Sequence, residues 1–274
     1  LLPAAVIEDE AGEVLVYPVD KGSGAITSLT EADGVIEMAP ETELLEAGQS
    51  VTVDLFSADT RPPSVLGIGE SDPLFARLLD HLDGPRYLPH GSREGQRRLR
   101  DGISDFALLA EQDAEAIEGD VLARYTREWG LVVPAGNPAG VDGLADLETA
   151  GAFVNVAAGI GLRTALESAI EAFVAAEGIT PAEFKASVSG YERTVTGIRS
   201  PAQRVASGAA DVGVGLRFAT ATLDVDFVPI GTQSLVVLGA STRREKAGVQ
   251  SLASVLDGEL DPLVRQLAGY EPNA

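Results

Sequence analysis

The rhythm of apolar and polar positions changes near residue 60. Upstream of that point it has the period of two that marks strands. Glu13–Val19 (EVLVYPV) reads as a strand, and Pro18, which cannot donate to a ladder, places it at a sheet edge. Gly34–Met38 is a second strand, and Ser50–Phe56 alternates strictly enough to bury one face. Clusters of turn-forming residues separate them at Asp20–Gly24 and Glu46–Gln49. The pattern predicts a small all-β barrel or sandwich over residues 1–58. Residues 59–63 (DTRPP) form a linker stiffened by two prolines.

From residue 64 onward the pattern alternates strand, loop and helix. Ser64–Gly69 and Asp105–Leu109 are buried-strand runs, as are Trp129–Pro134, Asp211–Leu216, Asp226–Ile230 and Leu235–Leu238. Helices are predicted after Asp72-Pro73, with Asp72 as cap, and from Gly91-Ser92 to Asp101-Gly102. A longer one carries the stripe Leu162, Leu166, Ala169, Ile170, Phe173 and ends at Gly178. Thr180-Pro181-Ala182-Glu183 and Ser200-Pro201-Ala202-Gln203 read as capping boxes, and Asp261-Pro262 as the start of a final helix. Such alternation implies βαβ units and largely parallel sheets.

Three strand-to-helix loops concentrate the chemistry. Asn155–Thr164 contains Gly159, Ile160 and Gly161, with Arg163 one step into the helix. Gly67–Asp72 includes Ser71, and His90–Arg93 includes Gly91 and Ser92. Glycine-rich loops free backbone N–H groups, and a helix N-terminus adds about half a positive charge, so such loops suit anions. Open α/β sheets bind ligands beyond the carboxyl ends of their strands, where the three loops would converge. The alternative is that these are tight turns, with Ser92 and Asp72 as ordinary N-caps. Arg97, Arg98 and Arg100 read as a surface cluster paired with acidic neighbours, and Trp129 as core.

Composition narrows the function classes. The chain has 274 residues, no cysteine and two histidines, which excludes disulfides, thiolate metal sites and histidine-rich metal sites. A formal net charge of −22 repels duplex phosphate and argues against nucleic acid. Lysine occurs only at 21, 185 and 246. A 45% hydrophobic content under that acidic surface suits a salt-adapted, cytoplasmic protein with no membrane partner. The chain opens Leu1-Leu2-Pro3 without methionine or a signal segment, which reads as a piece of a longer protein. No nucleophile elbow, phosphate-binding Gly-Lys-Ser/Thr loop or convincing acid/base pair is present, so no catalytic residue is assigned.

Taken together, several motifs resemble a known fusion. Gly22-Ser23-Gly24 with Ser28-Leu29, Ala32-Asp33-Gly34, and Leu44–Val51 resemble the C-terminal β module of molybdopterin molybdotransferase, the MoeA and gephyrin family. Gly91-Ser92 with Gly95, Arg127–Val133, Gly136-Asn137-Pro138, Asn155 with Gly159, Gly161 and Arg163, Gly190-Tyr191, Ala206–Gly213 and Gly269-Tyr270 resemble the periplasmic-binding-protein-like domain fused to some MoeA proteins. The resemblance implies an α/β fold: a two-lobed type II periplasmic-binding-protein-like domain preceded by a small all-β domain. Lobe one would span about 64–125 plus 240–274, and lobe two about 135–225. It also implies a molybdenum cofactor (molybdopterin) biosynthesis protein with a molybdate or tungstate ligand between the lobes. Ser71, Gly91, Ser92, Gly159, Ile160, Gly161, Arg163 and Thr196 would hold that ligand. Partners would be the oxyanion, a second copy of the chain, or other cofactor-assembly proteins. The molybdotransferase core is absent from this chain.

The sequence departs from the family pattern. Val156, Ile160 and Leu162 stand where arginine, serine and threonine are usual, Gly197 where histidine is usual, and Glu70-Ser71 where serine and histidine are usual. Hydrogen bonds to a charged group contribute ~1.5–3 kcal/mol each, so two lost hydroxyls weaken an oxyanion site by roughly 3–6 kcal/mol. Glu70 would add repulsion. A degenerate, ligand-free interaction domain is therefore a second expectation, and part of a larger molybdotransferase a third.

Overall fold

A computed structural model describes residues 1–19, 31–38, 44–113 and 119–272. The N-terminal part is an antiparallel four-stranded sheet of β1 (Leu2–Glu8), β2 (Val14–Pro18), β3 (Gly34–Ile36) and β4 (Val53–Leu55) in the order β2-β1-β3-β4. Pro18 does end an edge strand. The central strand β1 escaped the sequence pattern because Ala4, Ala5, Val6 and Ile7 are buried in succession, which erases alternation. The Asp20–Gly24 turn and the Gly22–Leu29 motif lie outside the described residues.

The rest is built on one large sheet. Its strands are β5 (Val65–Gly69), β6 (Pro85–Leu88), β7 (Phe106–Ala110), β8 (Asp120–Pro134), β9 (Phe153–Val156), β10 (Thr194–Val195), β11 (Val212–Leu216) and β12 (Val225–Gly239). They run in the order β10-β9-β11-β8-β12-β7-β5-β6, with β13 (Tyr270–Pro272) paired to β8. Each outer half is parallel: β6-β5-β7 in lobe one and β10-β9-β11 in lobe two. Between them β8 and β12 pair antiparallel from Val225↔Pro134 to Gly239↔Asp120. At ~3.4 Å per residue each crosses about 50 Å, long enough to serve both lobes. This is the two-lobed type II arrangement, with the β domain in front of it.

Helices α1 (Pro73–Leu79), α2 (Ser92–Arg100) and α6 (Ala247–Val264) cover lobe one. Helices α3 (Gly161–Glu177), α4 (Pro181–Ser187) and α5 (Ser200–Ala206) cover lobe two. Asp72 caps α1 through Phe75 N, and Thr180 with Glu183 forms the capping box of α4. Four sequence expectations change. Ser200 is helical and makes no cap hydrogen bond, Arg199 standing at the cap instead. Pro262 sits inside α6, close to its C-terminal end, where a missing N–H breaks only one late hydrogen bond. The runs 226–230 and 235–238 are one strand, because the irregularity at Pro229/Gly231 is absorbed as a bulge. The strand at 129–134 begins at Asp120; its first half carries charged residues that disguise it.

The β domain is fastened to lobe one. Ala5, Ile7, Tyr17 and Val19 pack with Leu66 of β5. Asp33 accepts Val6 N at 2.8 Å and both ends of the Arg86 guanidinium at 2.7 Å. Fully buried Asp105 pairs with Arg243 at 2.9 Å and Lys246 at 2.8 Å, and both cations also donate to Glu8 O at the end of β1. One carboxylate thus pairs with two nearly buried cations, and the Glu8 carbonyl takes donors that it leaves over. Removing one member of such a cluster typically costs 3–5 kcal/mol, so Asp105→Ala is expected to lose about that much unfolding free energy in a urea titration. A loss below ~1 kcal/mol would show the cluster to be solvated.

Candidate functional site

The carboxyl ends of β5, β6 and β9 open onto one gap between the lobes. Two helices begin there without a side-chain cap: α2 after Gly91, and α3 after Ile160. Their first N–H groups have no partner within the helix and need an acceptor. The acceptor is Glu70, fully buried in the turn after β5. Its Oε1 accepts Ser92 N at 2.8 Å, Ser92 Oγ at 2.7 Å and Gly161 N at 2.7 Å. Two positive helix ends and a hydroxyl therefore converge on one oxygen, and that oxygen belongs to a side chain. Ser92 Oγ in turn accepts Ala110 N at 2.8 Å, which fixes its proton on Glu70. Ser92 is the first helical residue and not the N-cap, a correction to the alternative reading above.

Arg127, on crossing strand β8, closes the other side. Its Nη2 donates to Glu70 Oε2 at 3.3 Å and to Gln233 Oε1 at 2.7 Å, while Nη1 reaches Asp72 Oδ2 at 3.0 Å and Ser71 O at 3.1 Å. Gln233 lies directly opposite Arg127 in the β8–β12 register. Tyr125 OH and Tyr270 OH donate to Asp72 at 3.0 and 2.8 Å, and Tyr87 OH to Glu70 O at 2.6 Å. Burial works against the Arg127 cation, yet the Asp72 and Glu70 charges hold its pKa above the ordinary guanidinium value. Burial and then the Asp72 charge push the Tyr125 and Tyr270 phenols well above their usual range, and burial with the Glu70 and Asp72 charges does so for Tyr87, so all three stay donors.

One donor in this cluster is unused. Gln233 is 2% exposed, and its Nε2 has no partner among the described residues. A Cβ at Gly161 would lie 3.1 Å from that nitrogen, 3.1 Å from Glu70 Oε1 and 2.7 Å from Ala110 Cβ, so only glycine lets α3 come this close. Gly91, at φ +87°, meets Gly159 O across the gap, and a side chain there would collide with it. At this point the two lobes touch.

The sequence candidates separate accordingly. Ser92 and Gly161 meet at Glu70, and Gly91 and Gly159 meet each other. Ser71 contributes its carbonyl to Arg127. Ile160 packs half-buried on the main core. Arg163 turns away from the gap. Its Nε pairs with Glu167 at 2.8 Å and its guanidinium lies 4.7 Å over the Tyr191 ring, whose phenol burial pushes up to about 12. Thr196 is exposed, in an open groove with Ser200, Gln203 and Arg204. Arg127, Asp72 and Gln233 were not nominated for the site. Asp72 reads in the sequence only as a helix cap, and Arg127 and Gln233 lie in polar stretches of their strands that set them apart from no neighbour. Among the described residues no cluster suits a metal ion, and no helix is long and apolar enough to cross a membrane.

Residues 84–257 match the family model of the PBP superfamily domain, and residues 1–56 match that of the MoeA C-terminal region (domain IV). The uncharacterised protein YvgK of Bacillus subtilis (strain 168) is 34% identical over 148 residues, 53% of this chain and 44% of that protein. The chain thus spans less than half the length of this curated relative. Among solved structures, a Clostridium perfringens protein assigned as a phosphate ABC-transporter substrate-binding protein, with bound phosphate, superposes with a TM-score of 0.57 at 11% identity, over 77% of this chain and 99% of that one. The sulfate-binding protein SubI of Mycobacterium tuberculosis H37Rv gives 0.55 at 16% identity, over 76% and 85%. At such identities these likenesses concern the fold.

Removing Arg127 strands two buried carboxylates. Arg127→Met is therefore expected to cost about 3–5 kcal/mol in denaturant titration. Arg163→Ala, losing one ring contact, a long hydrogen bond to Val156 O and an ion pair to the partly exposed Glu167, is expected to cost about 1–2 kcal/mol. Equal losses would mean that the Glu70 network is not the stronger of the two.

Proposed function

This chain belongs to the PBP superfamily, and from that premise we propose that it is the non-catalytic C-terminal portion of a MoeA-type molybdenum cofactor biosynthesis protein. Its two-lobed domain binds or senses a small ligand of the oxyanion class, with molybdate and tungstate first in line. The MoeA C-terminal region at residues 1–56 supports the pathway. The observation that carries the ligand class is the convergence of Ser92 N, Ser92 Oγ, Gly161 N and Arg127 Nη2 on one carboxylate. Donors of that number and sign, drawn from both lobes, suit an anion better than any neutral group. The unused Gln233 Nε2 adds a further donor at the same place.

Function in this reading is closure. An oxyanion that displaced the Glu70 carboxylate would take donors from α2 in lobe one and α3 in lobe two, and so would link the lobes. The Ser92 hydroxyl is held between Glu70 and Ala110 N, and the Glu70 and Asp72 carboxylates are engaged by Arg127, helix N–H groups and tyrosines, so in this reading the role is recognition, and chemistry on molybdopterin would belong to other parts of the assembly. A second reading is favoured by one fact: Glu70 already fills the position. On that reading the domain is a permanently closed interaction scaffold.

Thermal melts with millimolar molybdate, tungstate and sulfate separate the two. Ligand at about 100 times its dissociation constant adds ~2.7 kcal/mol of stability. The oxyanion reading expects a rise in melting temperature with at least one of the three, abolished in Ser92→Ala and kept in Arg163→Ala. Unchanged melting with all three would leave the closed scaffold as the function.

A further inference from the structure

We propose that Glu70 is the specificity-determining residue of the cleft and acts as a tethered ligand: its carboxylate occupies the anion position from within. It fills that position in place of a free oxyanion. This inference rests on reading the gap as an anion site, and it adds a statement about which anion the natural chain prefers, namely its own.

Five observations carry it. The carboxylate is fully buried, the one such glutamate among the described residues, and a buried carboxylate is costly unless its hydrogen bonds are made. Its bonds are made by groups that a free anion would use: helix-terminal N–H groups, a serine hydroxyl and a guanidinium. They come from both lobes and from a crossing strand, so Glu70 does mechanically what a bound ligand does in a two-lobed protein. Gln233 Nε2, buried and without a partner among the described residues, borders the same space at Gly161 as Glu70 Oε1 and is a donor that a two-oxygen carboxylate leaves over and a four-oxygen anion would use. The backbone around Glu70 is also fixed, by Glu70 N on Leu108 O and Tyr87 OH on Glu70 O, so the side chain is presented at a set distance.

The consequence for affinity is quantitative. A ligand that needs a minor conformation binds more weakly by the fraction of molecules in that conformation. Minor states commonly hold about 0.1–10% of a population, so a tethered competitor weakens a free oxyanion by roughly 10- to 1000-fold. Cutting the side chain back to Ala removes the competitor and leaves the donors in place. Arg127 keeps Asp72, Gln233 and Ser71 O as partners when Glu70 is gone. Replacement by Gln retains the shape, and its side-chain carbonyl can still accept the three N–H and O–H donors, so the position stays filled while the charge is lost.

The test compares the unmodified chain with Glu70→Ala and Glu70→Gln by calorimetric titration with tungstate and sulfate. The expected result is a dissociation constant for at least one of them that is tighter in Glu70→Ala by roughly tenfold or more, with no such gain in Glu70→Gln. An equal gain in both variants would mean that charge repulsion, and not occupancy, excludes the anion, and would overturn the proposal. So would a Glu70→Ala protein that binds no more tightly than the unmodified chain; binding by the unmodified chain would then still uphold the oxyanion function. Binding by Glu70→Ala alone would uphold the tethered ligand and give the natural chain the scaffold reading. Should Glu70→Ala not fold by itself, it is refolded with formate or sulfate against chloride at equal ionic strength. Recovery with formate or sulfate only supports the proposal; failure with both overturns it.

Discussion

The structure turns on one buried oxygen. Glu70 Oε1 takes the first N–H of two helices that start on opposite lobes, and without it both helix ends would face each other as like charges across a narrow gap. That single acceptor explains why neither helix has a side-chain cap, why residue 161 must be glycine, and why Gly91 can come up against Gly159. It also explains where Arg127 sits. A guanidinium placed midway along a crossing strand can pair with Glu70 and Asp72 together, and three tyrosines donate to Asp72 and to the Glu70 carbonyl.

The fold itself was largely readable. The change of period near residue 60, the strand–loop–helix alternation beyond it and the caps at Asp72, Thr180 and Gly178 all depend on local chemistry, and local chemistry is what a sequence displays. The misreadings share another cause. β1 is central and buried on both faces, so its residues do not alternate; the first half of β8 is charged because Asp120 and Arg124 form ion pairs at the surface while Arg127 enters the site; Ser200 and Pro262 lie inside helices whose ends their local motifs misplace.

The candidate site was legible as three loops but not as a mechanism. Gly91, Ser92, Gly159 and Gly161 stand out because loop-to-helix junctions have a local signature. Glu70 stood out only as an obstacle to an anion, since nothing in the one-dimensional pattern says that its carboxylate reaches 91 positions onward to Gly161 N. Arg163 illustrates the converse. One step into a glycine-led helix is a reasonable place for a ligand-binding cation, but a turn of helix later Glu167 offers a nearer charge, and Tyr191 offers a face. Arg127 and Gln233 meet only through a register between strands about a hundred residues apart, and such pairs are invisible until the sheet is assembled.

The attachment of the β domain gives the cleft an unequal pair of lips. Asp33 holds Arg86, Tyr17 and Ile7 pack on Leu66, and Glu8 receives Arg243 and Lys246; all of these partners belong to lobe one. To anything that grips the β domain, lobe one is therefore part of the handle and lobe two is the pointer. Were displacement of Glu70 to part the lobes, a partner on the β domain would meet it as a change in the angle of that pointer, at a distance from the gap.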